Sequence, residues 1–311
     1  MTELIEDILI SELTTSVRSE VVEFAASLIN SFPKMPLGVL FYGSVLRKAD
    51  PEGILDFYII TESNNDFKGN TFARVGNVLL PPNVNYAEFK ADDGILWRAK
   101  IAVISAEQFK KRNSLSSLDS TLWARFCQPV RLVWVRDASA ADIILNLIIQ
   151  SVTTASCWAA LLGSSGMTAI QYWQNLFAHT YESEVRVEQK GRGNSLIKDK
   201  EERFSKLLLL GWKRAHLNYA QQKDYLQPLI PKSLIERAYK RWGLIRRTGK
   251  TRNIARLIKA SFTFEGGGDY LAWKIKRHAG IDLKLSSFEA KHPLIMLPFL
   301  LWRMYSLRKA K

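Results

Sequence analysis

The sequence has few cysteines, and they are not arranged to build a cross-linked or metal-bound fold. Its two cysteines, Cys127 and Cys157, lie in apolar or helical stretches without a C-x-x-C pair or neighbouring histidines. This excludes a disulfide framework and a zinc site, and it fits a reducing compartment. The first ten residues lack lysine and arginine and carry three acids, the wrong flank for a secretory or mitochondrial targeting peptide. We therefore expect the mature chain to begin at Met1.

Acidic residues are scarce in the last part of the chain. Residues 186–311 hold 29 Lys and Arg against 10 Asp and Glu, a net charge of +19, whereas residues 1–185 hold 15 against 20, a net charge of −5. A region this basic favours an anionic partner, either nucleic acid or the anionic lipids of a membrane surface. The alternative is a solvated surface that serves solubility alone, although solubility needs only a modest net charge.

The hydrophobic pattern divides the chain into a mixed first part and a helical remainder. Apolar residues at helical spacing predict one or two helices before Pro33. Ser105 and Gln108 form a capping box that predicts a short helix. Five short apolar or alternating runs predict strands, namely "LGVLFYG", "LDFYIIT", "VNYAEFK", "ILWRAKIAVI" and "VRLVWV". We expect a mixed domain over 1–137, a helical domain over 138–230 and a basic helical region over 231–311.

The first two predicted strands carry a pattern with a chemical meaning. The first ends in Tyr42, Gly43 and Ser44, and the second carries Asp56 between apolar residues. Gly43 would let the backbone turn and approach a phosphate closely, and the turn amides with the Ser44 hydroxyl could hold a triphosphate. Asp56 would face the same crevice and bind Mg²⁺. Alone, a Gly-Ser pair is equally compatible with a plain turn.

Two residues on the next strands extend this pattern. Glu88 places a carboxylate between apolar and aromatic residues on the third strand, and Lys100 places a cation within the fourth. A strand ending in Gly-Ser, followed by a return strand with an acid between apolar residues, resembles the nucleotidyltransferase superfamily. The resemblance implies an α+β fold, with a nucleotidyltransferase-like mixed sheet and flanking helices followed by a helical basic domain. Asp56, Glu88 and Lys100 are then the candidate catalytic residues, and Asp56 and Glu88 the metal ligands.

The acid that usually follows two residues after the first is replaced here by Tyr58. Enzymes that extend a hydroxyl use two carboxylates to hold two metals, because the alcohol must lose a proton before it attacks. A phosphate monoester, with a second pKa of about 6, is already ionised and needs no such activation. The reduced acid set therefore favours a phosphate as the acceptor, with an inactive site as the competing explanation.

The combined motifs resemble a particular family, the mitochondrial-type phosphatidate cytidylyltransferases, which are peripheral CDP-diacylglycerol synthases connected with translocator assembly and maintenance. The resemblance covers about residues 38–135. It rests on the Tyr-Gly-Ser turn, on Leu55-Asp56-Phe57, on "KIAVIS" and on "ARFCQPV", which begins just before Arg125. A bacterial member of the family would fit a chain without a transit peptide.

The family resemblance implies transfer of a cytidylyl group from CTP to phosphatidic acid with Mg²⁺ as cofactor. It implies that the catalytic residues are those given above, and that the residues contacting the nucleotide or its phosphates are Tyr42, Gly43, Ser44, Lys48 and Arg125. The protein would work in the cytoplasm, peripherally on the inner face of the cell membrane, with CTP, phosphatidic acid and an anionic membrane surface as partners and without nucleic acid.

Two basic segments are candidates for reaching the lipid. Residues 293–311 combine an apolar run too short for the roughly 20 residues of a membrane span with basic residues after it, which predicts an interfacial amphipathic helix. A core helix is the alternative. Arg252, Arg256 and Lys259 share one face of a predicted helix and are candidates for binding the lipid phosphate, or else form a solvated face.

Two other functions remain open at this point. The chain could be a nucleotidyltransferase that acts on RNA or on a small hydroxyl acceptor, with the basic region as a nucleic-acid surface. It could also be a non-catalytic membrane adaptor on the same fold, which would not bind CTP with magnesium. Its oligomeric state and base preference do not follow from the sequence.

Overall fold

The computed structural model describes residues 3–48, 53–66, 76–78, 80–92, 94–183 and 192–263. Within them, strands and helices form an α+β fold, which confirms the predicted class. The chain divides into two compact units, each made of two separate segments. We call Val17–Ile104 with Ala255–Lys311 the sheet unit, and Met1–Ser16 with Ser105–Ile254 the helical unit. The three consecutive regions with boundaries at 137 and 230 remain a prediction from the sequence.

All five predicted strands are present in the protein, and four of them lie in the sheet unit. Its elements are α2 (Ser19–Ile29), β1 (Gly38–Tyr42), α3 (Ser44–Lys48), β2 (Leu55–Thr61), a short 3₁₀ turn (Asn64–Asp66), β3 (Asn83–Lys90) and β4 (Leu96–Ser105). These strands lie side by side in the order β3-β4-β2-β1. β1 pairs antiparallel with β2, and β3 with β4, in the manner of two hairpins.

Helix α2 covers one face of this sheet with aromatic residues. Phe24 packs edge-on against Phe57 of β2, with ring centroids 5.8 Å apart, and stacks on Phe89 of β3 at 5.2 Å. Phe24 and Phe57 are each 1% exposed or less, so they form the centre of this apolar layer. Because side chains alternate between the faces of a strand, the residues next to Phe57 and Phe89 belong to the other face.

The helical unit is built around one long apolar helix. Its elements are α1 (Ile5–Leu13), α4 (Ala106–Arg112), α5 (Thr121–Phe126), β5 (Arg131–Val135), α6 (Ala138–Leu162), β6 (Met167–Thr168), α7 (Ala169–Ser183), α8 (Arg192–Ile197), α9 (Glu201–Arg214), β7 (Tyr219–Gln222), β8 (Tyr225–Pro228) and α10 (Lys232–Thr263), the last of which reaches the sheet unit from Ala255. The predicted capping box is present, since Ser105 accepts from the Gln108 amide at 3.3 Å.

Helix α6 forms the core of this unit. Its 25 residues have a mean hydropathy that would allow a membrane span, and it is the one described helix that meets this test. Within the protein, however, 72% of its apolar window is buried, as expected for a core helix. The indole of Trp212 on α9 donates to the Ser156 carbonyl of α6 at 2.8 Å, which satisfies a polar group inside the apolar contact.

One predicted helix is shorter than its sequence pattern. The pattern predicts a helix that continues to residue 222, but α9 ends at Arg214 and Tyr219–Gln222 is a strand in a second sheet of order β6-β8-β7. His216 has a positive φ of 52°, and the Leu217 amide bonds to the Trp212 carbonyl at 2.9 Å. This local cap ends the helix and lets Tyr219 pack on Trp212, with ring centroids 5.4 Å apart.

Candidate nucleotide-binding site

The turn after β1 brings a carboxylate against the backbone of a glycine. Gly43 has φ +97°, which favours glycine, and a Cβ added there would collide with Oδ2 of Asp56 and lie 3.0 Å from its Cγ. The register explains the approach, because Asp56 is directly opposite Tyr42, the last residue of β1. Ser44 is exposed and begins α3. The Gly-Ser turn and the Asp56 carboxylate therefore lie together at one end of the β1–β2 pair.

The position of the usual second acid belongs to a buried aromatic layer. Tyr58 is 0% exposed, and its ring centroid lies 5.5 Å from that of Tyr42 on the neighbouring strand. Because alternate residues share a face, Tyr58 lies on the same face as Asp56 but is packed rather than presented to solvent. β2 therefore carries one carboxylate beside the turn, that of Asp56. The ring of Tyr58 occupies the position of the second acid.

The predicted site residues share one face of the sheet. Phe57 and Phe89 point to α2, so Asp56 and Glu88, which precede them, point to the opposite face. Glu88 is directly opposite Arg98 on β4, and directly opposite residues of an antiparallel pair lie on the same face. Lys100, two residues along β4, therefore belongs to this face as well. We call it the site face.

Glu88 is held by two neighbours on the site face. Its Oε1 accepts from the Tyr86 hydroxyl at 2.8 Å and lies 3.3 Å from Nε of Arg98. The side chains of Glu88 and Arg98 are 38% and 28% exposed, so the pair is open to solvent. Burial, together with the bond to Glu88, raises the pKa of the Tyr86 hydroxyl well above its ordinary value, which keeps it a donor. The carboxylate of Glu88 is oriented toward Arg98.

β4 separates Glu88 from Asp56. The strand order β3-β4-β2 places their strands two spacings apart, about 10 Å, since neighbouring strands are 4.7–4.9 Å apart. The Thr61 hydroxyl lies 3.5 Å from the Ile104 carbonyl, so the end of β2 lies beside the end of β4. If β2 ran antiparallel to β4 from this contact, it would extend beyond Ser105, where β4 ends, and the two strands could not pair along their length. The two strands therefore run parallel.

The contact between Thr61 and Ile104 indicates which residues of β4 lie beside Asp56. Counting back from it along both strands places Asp56 about level with Ala99, whose two neighbours on β4, Arg98 and Lys100, belong to the site face. The residues between the two carboxylates on the site face are therefore the cations of β4, Arg98 and Lys100. Arg98 was missed by the sequence argument, although its position two residues before Lys100 on a strand already placed both on one face.

The site face fits a single-carboxylate magnesium site better than a multi-acid one. Among the described residues, no group of three His, Cys, Asp or Glu side chains is placed to hold a metal. Mg²⁺ is commonly held by one or two carboxylates together with substrate phosphates and water. Asp56, which lies against the Gly43 turn, would supply one carboxylate of such a donor set. Glu88 contacts Arg98 and Tyr86 and lies across β4, so the geometry offers less support for it as a ligand of the same ion.

The predicted phosphate-binding residues lie in both units. Lys48 is the last residue of α3, directly after the turn, in the sheet unit. Arg125 lies in the last turn of α5, in the helical unit. The predicted membrane segment, residues 293–311, lies outside the described residues.

The three cations predicted to bind lipid phosphate contact protein carbonyls. In the helical unit, Arg252 donates to the Leu118 carbonyl at 2.8 Å. In the sheet unit, Arg256 donates to the Pro81 carbonyl at 2.9 Å. Lys259 is 8% exposed, and its ammonium lies within 2.8 Å of three oxygens, namely the carbonyls of Leu80 and Pro82 and Oδ1 of Asn83. An ammonium has three N–H donors, so these bonds use all of them.

Comparison with known proteins finds likeness in structure and not in sequence. No protein-family model matches the chain, and no curated protein matches it in sequence. Among solved structures, a nucleotidyltransferase-like protein from Exiguobacterium sibiricum is similar to this chain, with 12% sequence identity and a TM-score of 0.24 over 94% of this chain and 90% of that one. The α+β class itself is defined by the strands, helices and turn described above.

Proposed function

We propose that the chain transfers a cytidylyl group from CTP to phosphatidic acid, giving CDP-diacylglycerol and pyrophosphate. The observation that carries the proposal is the single carboxylate over the Gly43 turn, with the buried Tyr58 in place of a second acid. A site with one carboxylate is suited to an acceptor that is already ionised, because no second metal is needed to deprotonate it. A phosphate monoester meets this requirement at neutral pH and a hydroxyl does not.

The transfer itself is a displacement at the α-phosphorus of CTP. An oxygen of the acceptor phosphate forms a bond to that phosphorus, the bond to the bridging oxygen of the β-phosphate breaks, and pyrophosphate leaves. Catalysis of such a transfer depends on positioning and on stabilising charge. The Gly43 backbone and the Ser44 hydroxyl hold the triphosphate in this proposal, and Lys100 offsets the negative charge of the phosphates during the transfer. Lys48 and Arg125 remain candidates for the same phosphates.

Asp56 is the residue that would hold Mg²⁺ in this mechanism. Mg²⁺ held by Asp56 would supply positive charge that offsets the charge developing on the leaving group. The role of Asp56 is to fix the ion beside the turn, where its carboxylate already lies against Gly43.

A membrane-bound substrate requires contact with a lipid surface. We assign this contact to residues 293–311, whose apolar run is followed by Arg303, Arg308, Lys309 and Lys311. The protein would then be peripheral on the inner face of the cell membrane. The basic charge of residues 186–311 favours the same surface through its anionic lipids.

The test is a turnover assay with the full chain, Mg²⁺, labelled CTP and phosphatidic acid in mixed micelles, with ATP, GTP and UTP as controls. CDP-diacylglycerol formed from CTP alone supports the proposal. Nucleotide binding without lipid product would overturn it in favour of another acceptor, with RNA tested next. Absence of magnesium-dependent nucleotide binding would favour the non-catalytic adaptor.

A further inference from the structure

Two cations of β4 lie beside the Asp56 site on the same face. Arg98 and Lys100 are two residues apart on the strand, so their Cα atoms are about 7 Å apart and their side chains leave from the same side. β4 is the neighbour of β2, which carries Asp56, and of β3, which carries Glu88. We call Arg98 and Lys100 the basic strip. It is the nearest charged feature to Asp56 that the strand register defines.

Glu88 is placed to orient Arg98 rather than to stabilise the fold. Solvent-exposed ion pairs contribute little to stability, and the side chains of Arg98 and Glu88 are 28% and 38% exposed. The Tyr86 hydroxyl fixes Oε1 of Glu88 from the other side at 2.8 Å. A guanidinium has five N–H donors in a planar fork, so it can contact a carboxylate along one edge and a phosphate along another. A fixed carboxylate beside it sets the plane of that fork.

We infer that the basic strip binds the phosphate of the acceptor and that Glu88 is a positioning residue for Arg98, not a metal ligand. The inference rests on the proposed function, since it names the place of the acceptor phosphate at the same site. A phosphate monoester carries a charge of about −1.5 to −2 at pH 7, which two neighbouring cations offset. Arg98 contributes two-point recognition, and Lys100, two residues along the same face of β4, contributes a second positive charge.

The group that the basic strip would recognise is a phosphate monoester. The probes distinguish a lipid monoester from a soluble one. Binding of dioctanoyl phosphatidic acid, glycerol 3-phosphate and, as a control lacking the monoester, dioctanoyl phosphatidylcholine is measured by calorimetry on the full chain without nucleotide. The wild-type chain should bind dioctanoyl phosphatidic acid, and it should bind phosphatidylcholine at least tenfold more weakly. Tight binding of glycerol 3-phosphate alone would assign the strip to a soluble phosphate. Failure of the wild-type chain to bind either monoester would overturn the inference.

Variants of the strip and of its partner identify the roles. Arg98→Met should weaken binding of dioctanoyl phosphatidic acid at least tenfold and leave magnesium-dependent CTP binding within twofold. Glu88→Gln should weaken the same lipid several-fold without changing the Mg²⁺ concentration that half-saturates CTP binding. The matched control is Lys34→Met, since Lys34 pairs with Glu62 at 2.7 Å in the sheet unit, at the end of the β1–β2 hairpin away from Asp56. It should change neither quantity.

Two results would overturn the inference. One is unchanged lipid binding by Arg98→Met, and the other is a rise in the Mg²⁺ requirement of Glu88→Gln as large as that of Asp56→Asn. If Arg98→Met does not fold, Arg98→Lys tests the inference in its place. Lysine keeps the positive charge but lacks the planar guanidinium, so lipid binding should weaken by a few-fold. If Arg98→Met loses phosphate binding but the wild type forms no CDP-diacylglycerol, the basic strip binds a phosphate and the proposed cytidylyl transfer is rejected. If the wild type forms CDP-diacylglycerol and Arg98→Met forms it equally fast, the proposed function stands and the role of the strip is rejected.

Discussion

Replacing Gly43 by alanine tests the geometry of the site most sharply. The added Cβ would meet the Asp56 carboxylate, with Cγ at 3.0 Å and Cβ at 3.1 Å in the present arrangement. It would also collide with Oδ2 of Asp56, closer than real Cβ atoms approach another atom, so either the turn or Asp56 must move. Because the added Cβ would displace the Asp56 carboxylate, which is the proposed metal ligand, the substitution should weaken magnesium-dependent nucleotide binding as well as lower stability.

The loss of stability in Gly43→Ala has two parts, the cost of a positive φ and the displacement of Asp56. A second glycine of positive φ, Gly94, separates them. Gly43 and Gly94 both have a positive φ, +97° and +81°, but a Cβ at Gly94 would have nothing within 4 Å. Gly94→Ala should therefore cost only the left-handed backbone term, about 1–2 kcal/mol. Gly43→Ala should cost that amount plus the displacement of Asp56. A shift of about 1 Å in a catalytic group can lower turnover by about a hundredfold.

The assay is chemical unfolding of both variants, together with magnesium-dependent CTP binding. In an Asp56→Ala background the added cost of Gly43→Ala should fall toward that of Gly94→Ala, because the colliding Cγ and Oδ2 are gone. The reasoning is refuted if Gly43→Ala is no more destabilising than Gly94→Ala and binds nucleotide as the wild type does.

Three further predictions concern the helical unit and the chain end. Arg203 pairs with Glu12, and their side chains are only 12% and 10% exposed, so Arg203→Met should cost about 3–5 kcal/mol in urea unfolding. Lys206, which is 42% exposed and pairs with Glu3, is the matched control, and Lys206→Met should leave the free energy of unfolding nearly unchanged. Burial raises the pKa of the Cys127 thiol from 9.0 to about 12, so the unfolded chain loses this proton first as pH rises. The free energy of unfolding should fall above pH 9 by up to about 1.4 kcal/mol per pH unit from this group, and Cys127→Ala should have a shallower slope between pH 9 and 11. Deleting residues 293–311 should remove binding to anionic vesicles in a flotation assay and spare CTP binding, and retained vesicle binding would reject the assignment of the membrane contact.

The strands and the turn could be predicted because their signals are local. Alternating apolar residues marked all five strands, and Gly43 followed by an acid on the return strand marked the turn. The contact between Asp56 and Gly43 needs only the short hairpin that joins them, so strand period and turn chemistry are sufficient.

The arrangement across the sheet could not be predicted in the same way. Strand order is set by long-range pairing, and it places β4 between β3 and β2. This order separates Glu88 from Asp56 and brings Arg98 between them, a relation that no spacing in the sequence expresses. The partners of Lys259 likewise lie about 180 residues away in sequence, and two of the three, at Leu80 and Pro82, are main-chain carbonyls that carry no sequence signature.

The most direct test of the central claim follows the phosphorus atoms of CTP. The full chain is incubated with Mg²⁺, phosphatidic acid and CTP labelled either at the α- or at the γ-phosphate, beside Asp56→Asn and the control Glu62→Gln, whose carboxylate lies near the other end of β2. The account predicts α-label in the lipid and γ-label in pyrophosphate for the wild type and for Glu62→Gln, and neither for Asp56→Asn. Label transfer by Asp56→Asn at the wild-type rate, or γ-label in the lipid, would contradict it.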